Sequence, residues 1–560
     1  MKGGEEFTMH WATLDSFMLD DPFWQQRMGM PVANEQFLRA VLEHGRCSSY
    51  RFFATDGAGA ERLFGILKGR FPWAADRIRV QPQATLPMAV RACRPDVVHN
   101  GDFTYYMPHL IEWRNRLSAS LRFPITGVTH SLDTATLYTK FISLLLAGPK
   151  PYDAVVCTSR CAVEMLRQSF GEIREGFREK YGGLLPEPPR LVHIPLGIPE
   201  RRKPVPARVQ ARRRLGIPED HVVILSLGRL SPRTKMDLSP FLEAFGRFLN
   251  DLEARGGPAV TLVVAGGGRK DGVRLISEMV ETLGLAGVVK VRANLSAGEK
   301  EELYATSDLF CSLVDNYQET FGLTLLEAMD AGLPVIASDF DGYKDLVIPG
   351  ETGFLVPTFA SGSQEPWDGL AGILEPSVLR FYRAQKVAFD MDFLVKALQT
   401  LVCRPDIRRT LAENARRRVE NFRWSRVIAG YLDLWEDLAS RARSESSDGT
   451  RVRPLITPSV PKIFSHYPST VLQDESLVVP GPNGARFSSG LFRPIRYVEM
   501  ALLLNQGLLE AMVRRTSSLG ESTISDLLHV GRNEYGLDRD ASLLHLDWLI
   551  KHGVLVPKKC

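Results

Sequence analysis

Between about residues 35 and 200, short apolar runs alternate with segments of helical period, the pattern of a parallel sheet covered on both faces. Readable strands include Asp96-Val-Val-His99, Ile125-Thr-Gly-Val128 and Asp153-Ala-Val-Val156, each ending at a polar or small residue. Ligands of open α/β sheets bind at the carboxyl ends of the strands. His99, Asn100, Asp102 and the Thr129-His130-Ser131 turn therefore face a predicted cleft. The alternation restarts after a basic, proline-containing stretch, Arg201 to Arg208 with Arg212 to Arg214. Its strands fall at Val222 to Leu227, Thr261 to Ala265, Val288 to Val291, Leu309 to Leu313 and Pro334 to Ser338, a second doubly wound sheet.

Downstream the pattern changes twice. A polar segment, Ser361 to Pro366, opens an insertion of helical character at about 358–404. Ser444 to Asp448 then breaks a helix predicted over 424–442, and the Pro- and Gly-rich run to about 490 reads as a linker. Short helices are predicted at about 494–514, 523–529 and 539–552, with Gly553 as a C-terminal stop. With the Val-Leu-Val that follows, they suit a small helical module of winged-helix kind. The expected domains are 1–200, 201–420 with the insertion, a helix at 421–443, a linker at 444–490 and the module at 491–560.

Composition narrows the functional classes. With 44% hydrophobic and 24% charged residues over 560 positions, the chain reads as globular and multidomain. Sixty-nine basic residues against 65 acidic ones leave a net charge of +4, which argues against coating nucleic acid. The basic stretch reads as a solvated linker and helix rather than a polyanion site. Seven scattered cysteines give no disulfide framework and suit a reducing compartment. Cys157 and Cys161 read as buried thiols, since zinc would need two further ligands nearby. No apolar run follows Lys2, and the apolar stretches at 141–147 and 501–504 fall short of the ~20 residues a bilayer requires. A cytoplasmic protein, at most peripheral at the inner face of a membrane, is expected.

The densest chemistry lies in Glu319-Thr-Phe-Gly-Leu-Thr-Leu-Leu-Glu327, between two predicted strands. Gly322 lets backbone approach a ligand, and the helix starting near Leu323 offers unpaired N–H groups to a phosphate. Glu319 and Glu327 would lie about 12 Å apart if helical throughout, matching two ends of one elongated ligand. Alone, the pair is equally well two surface carboxylates of an amphipathic helix. It has company: after the strand ending at Leu227 comes Gly228-Arg229-Leu-Ser-Pro-Arg-Thr-Lys235, a glycine turn bearing two cations at the edge of the same sheet. A guanidinium and an ammonium there can neutralise a departing diphosphate without a metal.

These segments, with Gly342-Tyr-Lys-Asp-Leu-Val and Gly350-Glu-Thr-Gly-Phe-Leu-Val356, resemble family 4 of the retaining glycosyltransferases with the GT-B fold, two Rossmann-like α/β domains facing a cleft. The resemblance runs from about 95 to 440, through Tyr152 to Ser159, Ile194-Pro-Leu-Gly197 and Asn421-Phe-Arg-Trp-Ser425, the last like the start of a helix that crosses back to the first domain. It implies that Gly228, Arg229 and Lys235 hold the diphosphate, Glu327 the ribose, and Glu319 with Thr320, Phe321, Gly322 and Leu323 the donor sugar. His130 is similar to the family's histidine that reaches the donor sugar from the acceptor side, and Gly29, Asn34, Asn100 and Asp102 are the acceptor-side expectations. The expected reaction moves a sugar, with UDP-glucose the first guess, to a hydroxyl of a sugar, lipid-linked or protein acceptor. The nucleotide sugar is a co-substrate, and neither a further cofactor nor a metal is expected.

Other readings are weaker. Val263-Val-Ala-Gly-Gly-Gly268 lacks the spacing of a dinucleotide fingerprint. Asp390-Met-Asp392 has the spacing of a metal-binding pair but sits in the helical insertion, where solvated acids are the better reading. A sugar-nucleotide epimerase or a phosphorylase would share the fold. The terminal module could serve as an interaction domain for protein or nucleic acid, although Glu521, Asp526, Asp538, Asp540 and Asp547 dilute its basic residues.

Overall fold

The computed structural model describes residues 9–17, 29–133, 136–200, 208–362, 368–445 and 453–558. The chain forms two compact units, Met1–Tyr50 with Pro95–Ile456, and Arg51–Arg94 with Thr457–Cys560.

The first sheet contains β1 (Met9–Thr13), β2 (Cys47–Ala54), β3 (Ile78–Pro82), β4 (Val97–Asn100), β5 (Ile125–Val128), β6 (Ala154–Cys157) and β7 (Arg190–His193), in the order β3-β2-β1-β4-β5-β6-β7. Its central strands β4, β5 and β6 are buried at every residue, as parallel strands covered on both faces must be. The strand order reverses between β1 and β4, which pair in parallel at Trp11 with Val97 and Ala12 with Val98. A crevice opens at such a reversal.

The second sheet contains β8 (Val222–Leu227), β9 (Val260–Gly266), β10 (Val289–Ala293), β11 (Leu309–Ser312), β12 (Val335–Ser338) and β13 (Gly353–Val356), in the order β10-β9-β8-β11-β12-β13. Here the reversal lies between β8 and β11, so the loops leaving those two strands frame a second crevice. These loops carry Gly228 to Lys235 and Glu319 to Gly322.

The insertion is smaller and less helical than the sequence implies. It is an antiparallel ribbon, β14 (Thr358–Ala360) against β15 (Val387–Phe389), carrying the helix Pro376–Ala384. The helix Met391–Cys403 belongs to the second lobe itself, because Leu394, Leu398 and Leu401 are fully buried in its core. Asp390 caps that helix by accepting from Phe393 N–H at 2.9 Å, and Asp392 pairs with Arg247 at 2.6 Å. Structural roles thus occupy the Asp-x-Asp pair. The basic stretch is also more structural than expected. Residues 201–207 lie outside the described residues, but Arg212 is buried and its guanidinium donates to the carbonyls of Thr306, Glu219 and His221 and to Asp308.

The chain returns to the first sheet through the helix Trp424–Ser444. Ile198 N–H donates to Phe422 O at 2.9 Å and Trp424 N–H to Ile198 O at 3.1 Å. At Gly197 a Cβ would lie 2.5 Å from the Trp424 indole, so only glycine fits this crossing. Tyr431 then meets His99 edge-on, and Trp435 packs at a tilt against both His99 and Trp11.

In the other unit, β16 (Leu477–Pro480) is the middle strand of an antiparallel sheet, flanked by β17 (Ser522–Thr523) and β18 (Leu555–Pro557). A strand therefore stands where the sequence reads as linker. Its Val478 joins Leu508, Met512, Leu527, Leu546 and Leu549 in one core with the helices Gln506–Leu519, Ile524–Tyr535 and Arg539–Lys551. The first of these begins later than 494 because Asn505 caps it, accepting from Leu508 N–H.

Candidate active site

The second crevice is built around a buried cation. Lys235 is 7% exposed, and its ammonium donates to the Glu319 carboxylate and, at 3.1 Å, to Tyr343 Oη, which also bonds Ser312 Oγ at 2.9 Å. Burial alone would strip the proton from this lysine, but the adjacent carboxylate outweighs it and holds the ammonium charged. Burial conversely pushes Glu319 toward its neutral form, while Lys235 and then Arg229 hold it below the usual carboxylate range. Arg229 is itself desolvated and compensated by Glu319. Two cations thus act on one carboxylate at the carboxyl edge of the sheet.

The loops are locked at short range. Asn316 Nδ2 donates to Arg233 O at 3.1 Å, and Asp315 accepts from Asp237 N–H at 3.0 Å, tying the loop after β11 to the loop after β8. Gly322 adopts φ +111°, where a Cβ would lie 2.6 Å from the Tyr343 ring. This lets the start of the helix Leu323–Asp330 sit against Lys235's aromatic partner. Thr320 and Phe321 pack equally closely on the next loop, for a Cβ on Gly342 would fall 2.5 Å from Thr320 O. Glu327 lies further along the same helix, oriented by Lys300 Nζ at 2.7 Å and Tyr304 Oη at 2.9 Å. Burial, reinforced by the charge of Glu327, raises the Tyr304 hydroxyl well above its ordinary range.

The residues expected on the acceptor side gather at the other crevice. Asn100 ends β4, is fully buried, and neither atom of its amide has a hydrogen-bond partner. His130 bonds Gly101 O through Nε2. Asp102 accepts from both the N–H and the hydroxyl of Thr104 at 2.7 Å. Gly101 is pressed between Asn34 Nδ2 and Asp15 Oδ2, which would lie 2.7 and 2.8 Å from a Cβ there. Burial lowers the His130 pKa against the opposing pull of Asp102 and Asp15. Gly29 begins the helix Gly29–His44, one turn before Asn34, and the loop leading into it lies outside the described residues.

The lobes meet across the cleft. Arg160 N–H donates to Asp345 at 2.7 Å, and Cys161 Sγ to Asp341 O at 3.4 Å. Beside them is a cavity of about 920 Å³, lined by Leu132, Tyr138 and Met165 from one lobe and Tyr317, Thr320 and Asp341 from the other. Asp341 sits at φ +43°, and burial, reinforced by the charge of Glu319, pushes its carboxyl up to about 8.

Sequence reasoning missed Tyr343, although its segment was part of the resemblance, because one aromatic after a glycine carries no mark of a lysine partner. It also missed Asp15, since Met9–Thr13 is a short strand of mixed polarity. Lys300 and Tyr304, on the preceding helix, share no motif with Glu327.

Residues 208–364, which contain this second crevice, match the family described as Glycosyl transferases group 1. A D-inositol 3-phosphate glycosyltransferase of Geodermatophilus obscurus is 28% identical over 369 residues, 64% of this chain and 71% of the relative. One of Stackebrandtia nassauensis is 30% identical over 44% of this chain and 56% of its own length. The chain thus carries a group 1 glycosyltransferase domain. Apart from the Geodermatophilus protein, the chain spans about half the length of such relatives, between 38% and 56%. Among solved structures, the Anabaena HepE complex with UDP is similar with a TM-score of 0.49 and 20% identity, over 77% of this glycosyltransferase and 100% of that chain. A sucrose-phosphate synthase of Thermosynechococcus elongatus gives 0.47 and 21%, over 77% and 100%.

Proposed function

We propose that this glycosyltransferase moves a hexose from a UDP-sugar, UDP-glucose first, to an acceptor hydroxyl with retention of configuration and without a metal. One observation carries the reading. Lys235 is a buried ammonium kept charged by Glu319, with Arg229 beside it at the strand reversal of the second sheet. Positive groups fixed in a low-dielectric site stabilise the charge that grows on a leaving diphosphate and need no rearrangement as it forms. In this role Arg229 and Lys235 take the diphosphate and Gly228 gives it room. The backbone at Thr320 to Leu323 and Glu319 take the sugar hydroxyls, and Glu327 takes the ribose.

The acceptor enters from the first lobe, where His130, Asn34, Asn100 and Asp102 supply neutral or shared hydrogen bonds. Leaving phosphate and attacking hydroxyl then lie on one face of the sugar, so the phosphate itself receives the hydroxyl proton as the new bond forms. The relatives' names support a phosphorylated polyol as the first acceptor to try. Among the described residues no helix is long and apolar enough to cross a membrane.

The test is release of nucleoside diphosphate from UDP-, GDP- and ADP-sugars with inositol phosphate as acceptor, with and without EDTA, and product analysis by NMR. Turnover from one UDP-sugar that survives EDTA and yields the retained anomer supports the proposal. Loss of turnover in EDTA, an inverted anomer or an epimerised donor contradicts it.

A further inference from the structure

The inserted ribbon brings another cation to the edge of this site. Its helix Pro376–Ala384 is fixed at the start by Glu375, which accepts from Ser377 N–H at 3.0 Å and Val378 N–H at 3.1 Å. From that helix Arg380 crosses to the first lobe and meets Asp133 with two parallel bonds, Nε to Oδ2 and Nη2 to Oδ1, the second at 3.1 Å. Arg383, on the same helix, donates to the Asp133 carbonyl at 3.3 Å. The pair is enclosed, with side-chain exposures of 15% for Arg380 and 1% for Asp133.

Its position is the informative part. Asp133 and Arg383 line the 920 Å³ cavity together with Thr320, the neighbour of Glu319 in the loop after β11, and Asp133 follows His130 by three residues. The charges of Arg380 and Asp133 are also felt at Arg229, after burial and the charge of Glu319. Three cations, Arg229, Lys235 and Arg380, are therefore set about one region and balanced by two carboxylates, Glu319 and Asp133. A guanidinium fork fits a phosphate as well as a carboxylate, and a pyrophosphate offers more charge and more acceptor oxygens than the single Asp133 side chain.

We infer that Arg380, carried in by the insertion, is a third ligand of the donor diphosphate, and that Asp133 is the carboxylate it exchanges for phosphate oxygens. The inference rests on the donor-site reading above and extends it to a residue outside residues 208–364, the segment that matches the family. It also joins the two lobes chemically, since a donor that draws Arg380 away leaves Asp133 on the acceptor side beside His130.

Calorimetric titration of the full chain with UDP and with inorganic pyrophosphate, for wild type, R380Q, R380K, D133N and K235A, tests it. R380Q weakens binding of both probes about tenfold or more, the size of a charge-assisted bond. R380K is intermediate, because it keeps the charge and loses the fork. D133N binds both at least as tightly as wild type. A pair that only clasps the lobes gives equal losses in R380Q and D133N, which overturns the inference, as does R380Q within twofold of wild type. Thermal unfolding of each variant guards against misfolding, and R380K with D133N carries the comparison should R380Q not fold. K235A separates the two claims. If it binds pyrophosphate normally, or wild type binds neither probe, the donor-site reading falls and this inference with it; if K235A loses binding and R380Q keeps it, only the role of Arg380 falls.

Discussion

The two strand reversals of this glycosyltransferase are equivalent in topology and opposite in electrostatics. At the second, between β8 and β11, Lys235 and Glu319 hold each other charged against burial, with Arg229 also favouring the Glu319 carboxylate. At the first, between β1 and β4, burial drives the titratable groups toward neutrality. His99 is lowered to about 3 by desolvation, His130 is lowered, and Asp15 is raised. On the proposed function, the same fold position serves two ligand chemistries. A diphosphate needs permanent charge, whereas a hydroxyl acceptor needs donors and acceptors that can change partners.

This contrast can be broken by substitution. Replacing Lys235 or Arg229 by Ala should cost the most, lowering turnover about a thousandfold with the circular dichroism spectrum unchanged, as measured by nucleoside diphosphate release. On the neutral side, H130A should lower turnover only ten- to a hundredfold, the scale of a lost hydrogen bond or proton-handling group. Equal losses on the two sides would erase the distinction between them.

The comparison also requires that the lobes keep their relation through the crossing at Gly197. The added methyl of G197A meets the Trp424 indole, and overpacking of this kind costs about 1–3 kcal/mol. The loss should appear as a lower unfolding midpoint, with activity restored on cooling.

The smallest effect is expected at Asp341. Its carboxyl, raised to about 8, stays protonated in the fold while the unfolded chain ionises near 4. Between those values the folded state binds the extra proton, so this group makes stability fall as pH rises. D341N should flatten that slope and raise stability at pH 8 by about 1 kcal/mol, given partial solvent screening. Asn also tolerates the left-handed backbone at this position. Denaturant titrations at pH 5 and pH 8 check it, and an unchanged slope would place the proton elsewhere.

How far the sequence foretold these regions follows from how each is encoded. Strands such as Val222–Leu227 and Val97–Asn100 are unbroken apolar runs ending in polar residues, so both sheets and their open ends were legible. The loops of the second crevice were legible because Gly228 to Lys235 and Glu319 to Glu327 are each contiguous and chemically dense. What joins them was not. Tyr343, Lys300 and Arg380 reach their partners through tertiary packing across 108, 27 and 247 positions. The helix Met391–Cys403 was assigned to the insertion because its apolar face looks the same in either context, and only the surrounding core shows where it packs. The linker reading failed at Leu477–Pro480 because a four-residue strand, ended by Pro480, has too little period to stand out.

The central claim is that fixed protein cations, rather than a metal, stabilise the departing diphosphate. The most direct measurement is single-turnover release of UDP from a UDP-sugar by wild type and K235A in EDTA, repeated with added magnesium. The account predicts full turnover for wild type in EDTA and a loss of about three orders of magnitude for K235A that magnesium does not restore. Wild-type turnover that disappears in EDTA, or a K235A enzyme that turns over normally, would contradict it.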